Sequence, residues 1–419
     1  MNIFSQALKA YKSVHLMARI VIGLIIGTVL ALIVPDLTVI EILGELFVRS
    51  LKAIAPILVC VLVAASIASS GSGLGKRFRT VIGLYIASML IAAVVSVSAS
   101  LLFPITLQFP TTDASTTDAA PAALGELFMN IVRQITVNPF VAVSDAQYLS
   151  LLFWAIIIGL AMKQVKAAKA IDVVQDFAHA ISVVAQWVIQ FAPFGVMGLV
   201  YNSVSTSGMD IFVTYGKLIA LLVACMLIQQ MICSPLLMSS LLHKNTYPLM
   251  WKCVKGSAVS AFFTRSSAAN IPVNMALCER MKLDKSFYSV SIPLGSTINM
   301  DGATITITIM TLATCHTVGI EVSFINAIVL SILATIGACG ASGIPGGSLL
   351  LIPMACSLFN IPQDVSMQVV GIGFIIGVVQ DSFETALNSC GDVMYTAAAE
   401  FYDRKKAGKE VNFNPELSE

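Results

Sequence analysis

Six stretches of this chain run without one charged side chain for about the length of a membrane crossing: Ile20 to Val34, Ala53 to Gly75, Thr80 to Thr112, Ala146 to Met162, Ile181 to Met209 and Leu218 to Leu242. A helix needs about 20 apolar residues to traverse the hydrocarbon core, where every backbone polar group must find its partner within the protein. The chain is therefore expected to be an all-α polytopic membrane protein. Composition agrees: 57% of its 419 residues are hydrophobic and 11% charged, against roughly a quarter charged in a soluble domain. The 24 basic and 23 acidic side chains nearly cancel, so no global field favours nucleic acid. Nine cysteines form no C-x-x-C pair or zinc spacing and read as small buried hydrophobes. The first stretch follows Lys9, Lys12 and Arg19, but no small-residue cleavage site precedes Asp36, so a signal peptide is the weaker reading.

Short loops rich in Lys and Arg stay cytoplasmic. Basic residues occupy the N-terminus, Lys76 to Arg79, Lys163 to Lys169 and Lys244 to Lys255, while alternate connections carry Asp36, Glu41 and Glu45, then Asp113 and Asp118, then Asp210. Six crossings follow. The segment Ile105 to Tyr148, with its Thr/Asp/Ala/Ser tract, is too small and polar to pack a core and is expected to be a mobile external loop. Gly256 to Cys278 breaks the alternation, because Lys252 and Lys255 precede it and Arg280, Lys282 and Lys285 follow. With Thr264-Arg265-Ser266-Ser267-Ala268-Ala269-Asn270 at its centre, it is expected to be a re-entrant hairpin with a polar tip buried in protein. Ser286 to Ile320 crosses outward. The next 42 residues, Val322 to Gln363, lack any charge and contain Gly340-Ala341-Ser342-Gly343-Ile344-Pro345-Gly346-Gly347 near their midpoint; glycine and proline at that density end helices. This second helix-break-helix unit enters from outside, and Val365 to Ala399 returns the chain to a cytoplasmic tail. The expected total is eight transmembrane helices plus two re-entrant helical hairpins, with both termini cytoplasmic.

From Ser286 to Asp403 there is no Lys or Arg but eight acids, of which Asp301, Asp381, Glu384 and Asp392 lie in otherwise apolar helices. Each charge at mid-membrane costs about 3 kcal/mol, so the four together need compensation on the order of 10 kcal/mol. Arg265 is the one basic side chain at hand; bound cations or protons supply the rest. Asp381, Glu384, Asn388 and Asp392 share one helix face, within an arc of about 80 degrees. Sodium takes oxygen ligands by the logic of other hard cations. Asn299-Met300-Asp301-Gly302 offers them beside a glycine that permits unwinding, and Asn388-Ser389-Cys390-Gly391-Asp392 offers nearly the same set one hairpin later. A hairpin followed by such a helix thus occurs twice in opposite orientation, as in inverted-repeat transporters, and hairpin-tip helix N-termini suit a carboxylate. Gly340-Ala341-Ser342-Gly343 also matches the Gly-x-Ser-Gly element of intramembrane serine proteases, but no histidine follows residue 316. A channel is disfavoured by two hairpin gates flanking one site.

Phe263-Thr264-Arg265-Ser266-Ser267, Asn299-Met300-Asp301-Gly302, Gly343-Ile344-Pro345-Gly346 and Asp381 through Asp392 resemble the glutamate-transporter family of sodium-coupled dicarboxylate and amino-acid symporters over nearly the whole chain. Thr264 through Pro272 and Gln380-Asp381-Ser382-Phe383-Glu384-Thr385 look like its bacterial sodium/serine-threonine branch. The resemblance implies a non-enzymatic carrier in a bacterial cytoplasmic membrane, a homotrimer in the lipid bilayer. Residues 1–250 would be mainly scaffold, with the third and sixth spans moving along with a transport core at 251–402, followed by a tail at 403–419. It implies substrate contacts from Arg265, Ser266, Ser267, Ile344, Gly346, Asp381, Glu384, Thr385 and Asn388. Asp381 would take the substrate ammonium, Ser267 and Asn388 its carboxylate, and the Gly343 to Gly347 tip would be the outer gate. Sodium, the co-transported ion, would be held among Ser88, Gly295, Thr297, Asn299, Asp301, Ala338, Asn388 and Asp392; no organic cofactor is implied.

Departures from the family pattern sharpen this. Dicarboxylate carriers place an arginine where this chain has Glu384 and a hydroxyl where it has Ala303. An acidic substrate side chain would meet a carboxylate in a low-dielectric pocket, so a small neutral hydroxyl substrate, serine or threonine, is expected, with Glu384 partly neutralised by Arg265. The alternative within the family is sodium or proton symport of an acidic substrate with some carboxylates protonated. A third-span sodium site that uses adjacent Thr and Ser in relatives reads Ala87-Ser88 here, so a lower sodium count is expected.

Overall fold

The computed structural model describes residues 14, 16–34, 37–69, 76–108, 136–165, 168–341, 346–409, 411 and 413, and all its regular elements among these are helical. The tract at 109–135 and the tip residues Ser342 to Pro345, including Ile344, lie outside the described residues. The first helices are α1 (Leu16–Ile33), α2 (Thr38–Ser69), α3 (Lys76–Leu102), α4 (Pro139–Ser144), α5 (Tyr148–Gln164), α6 (Ala168–Gln190) and α7 (Ala192–Ser207). Among the described residues, four helical runs are long and apolar enough to cross a membrane, and α6 with α7, bent by 51° at a short break, make a fifth. Helices extend past the charge-free stretches: Glu41, Glu45, Arg49 and Lys52 lie on α2, and Lys76 to Arg79 open α3. The sequence reading places Glu41, Glu45 and Lys76 to Arg79 in loops, but the i to i−4 backbone ladder continues through charged residues wherever their side chains reach water.

After α8 (Ile211–Ile228) the ladder slips into a π segment, Gln229–Cys233, before α9 (Ser234–Leu242). Pro235 has no N–H to donate back to Met231, and such a missing bond is a physical cause of local rewinding. The first hairpin is α10 (Tyr247–Cys253), a second π segment at Val254–Ala258, α11 (Val259–Thr264) and α12 (Ser267–Arg280). It folds back on itself, with Ser257 Oγ donating to Asn274 Oδ1 at 2.6 Å. The following stretch is two helices, α13 (Lys285–Ile298) and α14 (Asp301–Thr317), broken at Asn299-Met300. The second hairpin comprises α15 (Phe324–Ala338), a 3-10 turn at Ser348–Leu351 and α16 (Ile352–Ser357). Last comes α17 (Gln363–Lys406), 44 residues and about 66 Å long.

Two packing groups result. α1 lies on α7, and α2 against α5, α6 and α7, whereas α3 packs on α14, α15 and α17. Gly23 and Gly27 allow the first contact, since a Cβ on Gly27 would sit 2.4 Å from Met197 O; small residues serve this purpose between membrane helices. The groups meet where Phe47 of α2 stands edge-on to Phe374 of α17, ring centroids 5.0 Å apart. Away from that seam the second group is tied by charge: Arg77 Nε donates to Asp403 at 2.6 Å and its Nη1 to Asp284 at 3.0 Å. Arg404 pairs with Glu400, whose Oε2 accepts the Asp284 N–H at 2.9 Å.

Candidate functional site

The first hairpin breaks where Arg265 takes a left-handed conformation, φ 52°, and Ser266 is extended and caps α12 by accepting the Ala269 N–H at 3.2 Å. A non-glycine residue there is strained unless its surroundings hold it. The hold is an ion pair: Arg265 Nε lies 2.6 Å from Asp381 Oδ2, with side chains 8% and 3% exposed. The second hairpin reaches the same carboxylate, Gly346 donating its backbone N–H to Asp381 Oδ1 at 3.3 Å from a φ of 73° that suits glycine. One residue from each hairpin thus engages each oxygen of Asp381.

Glu384 is where the geometry corrects the sequence reading, because Arg265 pairs with Asp381 and not with Glu384. Glu384 Oε2 instead accepts from Thr306 at 2.7 Å, Ser348 at 2.9 Å and Gln380 at 2.5 Å, all neutral donors. Helical spacing places both acids on one face of α17, but the guanidinium arrives from the end of α11, where Asp381 is in reach.

Below this pair, Asn299 at the α13–α14 break donates through Nδ2 to Asn388 O and to Asp392 Oδ1, each at 3.0 Å. Asn388 Oδ1 in turn accepts the Gly302 N–H at 2.7 Å. Gly302 is not the unwinding point expected of it; it lies within α14, and a Cβ there would be 2.8 Å from Glu384 Cα. A Cβ on Gly391 would be 2.6 Å from Asn299 Nδ2. Gly302 therefore permits close approach of α14 and α17, and Gly391 that of α17 to the α13–α14 break, while α17 stays unbroken through Asn388 to Asp392.

Asp301 Oδ2 accepts from Ser88 at 2.5 Å and, more weakly, from Gln229 at 3.3 Å and Tyr395 at 3.4 Å. Tyr395 also bonds Ser88 and donates to Ser234 at 2.8 Å. Among the described residues, four buried acceptor oxygens in this region have no hydrogen-bond partner: Asn299 Oδ1, Asp301 Oδ1, Asp392 Oδ2 and Gln229 Oε1. Buried acceptors are ordinarily paired, and an all-oxygen set of this kind suits a hard cation.

The structure therefore brings together Gly295, Asn299, Asn388 and Asp392, since a Cβ on Gly295 would fall 2.7 Å from Asp392 Oδ1, and separately Ser88 with Asp301. Thr297 is exposed and its hydroxyl returns to Leu294 O at 2.8 Å, away from the other oxygens. Ala338 is buried, its carbonyl accepting from Ala341 at 2.9 Å, and neighbouring Cys339 reaches Ile298 O at the α13 end. Ser267 and Thr385 are buried. Gln229, Ser234, Thr306, Ser348, Gln380 and Tyr395 are absent from the sequence-based site. The π segment that aims Gln229 inward leaves no hydropathy signal, and lone hydroxyls and amides in apolar helices look alike before folding.

The model of the sodium:dicarboxylate symporter family matches residues 16–400. The chain belongs to this family. It is 52% identical to a serine/threonine transporter SstT of Bifidobacterium adolescentis over 96% of this chain and 93% of that one. It is 50% identical to one of Streptococcus agalactiae serotype Ia (94% and 97%) and 48% identical to one of Enterococcus faecalis (96% of each). As a sodium:dicarboxylate symporter family member it is an integral membrane protein among transporters, not an enzyme. The protease reading of Gly340 to Gly343 falls with that assignment.

Proposed function

We propose that this chain is a sodium-coupled symporter that imports serine and threonine across a bacterial cytoplasmic membrane by alternating access. The carrying observation is the environment of Glu384: its carboxylate lies among the neutral donors Thr306, Ser348 and Gln380, with the one nearby guanidinium committed to Asp381. That arrangement disfavours an acidic substrate side chain and offers an acceptor to a hydroxyl. Relatives named for serine and threonine, 46 to 52% identical, support the same substrates. In this reading Asp381 takes the substrate ammonium, displacing or sharing Arg265, and the α12 N-terminus at Ser267 takes the carboxylate with Asn388. Sodium binds at the unpartnered oxygens of Asn299, Asp301 and Asp392 with carbonyls near Gly295 and Asn388, and Ser88 completes the Asp301 side.

The fuller architecture belongs to the same proposal: eight spans, two re-entrant hairpins, cytoplasmic termini and a trimer. α1, α2 and α5–α7 form the scaffold, and the hairpins with α13, α14 and α17 move, accompanied by α3, α8 and α9. The test is uptake into proteoliposomes under imposed sodium or proton gradients, with labelled Ser, Thr, Ala, Asp and Glu. Serine should accumulate with the sodium gradient and Asp and Glu should not; serine uptake indifferent to sodium overturns the reading. A flux-ratio measurement then counts the sodium ions.

A further inference from the structure

Three donors from three different elements converge on a single oxygen of Glu384. Thr306 comes from α14, Ser348 from the 3-10 turn of the second hairpin and Gln380 from the preceding turn of α17 itself, and all of them meet Oε2. Gln380 and Thr306 are also bonded to each other, Gln380 Nε2 donating to Thr306 Oγ1 at 2.7 Å. The amide therefore places one hydrogen on Thr306 and the other on Glu384, and Thr306 passes its own hydrogen to the same carboxylate oxygen. Its carbonyl end, Gln380 Oε1, is buried without a partner among the described residues, so these two donated bonds orient the amide. Among the described residues no donor reaches Glu384 Oε1.

Three donors on one oxygen restrain the carboxylate and leave its second oxygen as a free acceptor. We propose that Thr306, Gln380 and Ser348 are specificity-determining positioning residues: they lock Glu384 by Oε2 so that Oε1 accepts the hydroxyl of the substrate. This rests on the serine/threonine reading given above. A substrate hydroxyl donates to Oε1 and completes the shell. Alanine, the same molecule without the hydroxyl, leaves that acceptor without its donor, and sites built to receive a hydroxyl discriminate strongly against its absence.

The test compares serine and alanine uptake in proteoliposomes under one fixed sodium gradient, for wild type, Thr306→Val, Gln380→Met and Thr306→Ser. Val and Met keep the shape and remove the donors. In wild type the KM for alanine should exceed that for serine by at least ~10-fold. In Thr306→Val and Gln380→Met that ratio should collapse toward one while the maximal rate for alanine changes little, and Thr306→Ser should restore the ratio. A ratio that stays at the wild-type value in both donor-less variants overturns the proposal, as does an equal loss for both substrates, the mark of a purely structural role. Should Thr306→Val not fold, Gln380→Met and Ser348→Ala carry the same comparison. Failure of the underlying reading is seen separately, as wild-type protein that does not accumulate serine with sodium.

Discussion

The two hairpin-and-helix units carry nearly the same polar set but use it on different backbones. In the first, Asn299 and Met300 lie outside helical structure, between α13 and α14. In the second, Asn388 to Asp392 stay within the unbroken α17. A break releases backbone groups that an intact helix keeps for itself, so the first unit offers freed backbone beside the Asn299 and Asp301 side chains, whereas the second works from a continuous helix. The carboxylates differ as well: Asp301 is met by Ser88, Gln229 and Tyr395, whereas Asp392 has Asn299 on Oδ1 and, among the described residues, no partner on Oδ2. The less satisfied carboxylate depends more on a cation.

The largest expected effect follows from that contrast. Asp392→Asn should raise the sodium concentration for half-maximal serine uptake by about 100-fold, the scale of removing one partner from a buried ionic contact, while Asp301→Asn should cost about tenfold because neutral donors remain. Initial rates against sodium concentration check both, and equal losses would dissolve the distinction between the units.

Next comes the first hairpin's tip. Arg265→Ala leaves the buried Asp381 charge without its cation, a loss of about 3–5 kcal/mol read as a lower unfolding temperature of the purified protein. Arg265→Lys should recover only part of it, since an ammonium lacks the planar fork.

The hairpins also differ in anchoring. Behind the first, Asn270 Nδ2 donates to Ser389 Oγ at 2.8 Å and Asn274 Nδ2 to Ser389 O at 3.1 Å, joining α12 to α17. The described part of the second tip reaches α17 through Gly346 and Ser348. Asn274→Ala should therefore destabilise by about 1–3 kcal/mol and speed hydrogen exchange in α11 and α12, with little change in α15 and α16.

The smallest effect lies at the charged end of the second packing group. Hydrogen bonds from Ser286, chiefly, and the Arg77 guanidinium hold the Asp284 carboxyl below the usual carboxylate range. A depressed folded-state value means the stabilisation is present at neutral pH and fades as pH falls below about 4. In Asp284→Asn that part of the acid sensitivity should vanish from the melting temperature measured between pH 7 and pH 3, a shift kept small by the group's exposure.

Much of this was legible beforehand, and the reasons are specific. Charge-free stretches mark lipid-facing helices because lipid cannot pair charge, and the tip at Arg265-Ser266 stood out because seven polar and small residues interrupt an apolar run. Helix ends did not stand out, since Glu41 and Glu45 continue α2. Thr297 illustrates another limit: two residues from Asn299, it nonetheless bonds back to Leu294, and proximity along a chain says little about direction at a helix break. Gln229 needed a π turn, and Thr306 and Ser348 needed two other elements to arrive beside α17.

By itself the sequence determined that this is a helical membrane protein whose second half holds acids without bases, with a repeated Asn, Gly and Asp set that calls for cations. Those are properties of composition and of position along one helix, where the period of the backbone settles which residues share a face. Tertiary structure alone decided that Arg265 belongs to Asp381 and that Glu384 is left to three neutral donors. A partner on another element is chosen by where two backbones come to lie, and at Gly302 and Gly391 that distance is set by the absence of a side chain.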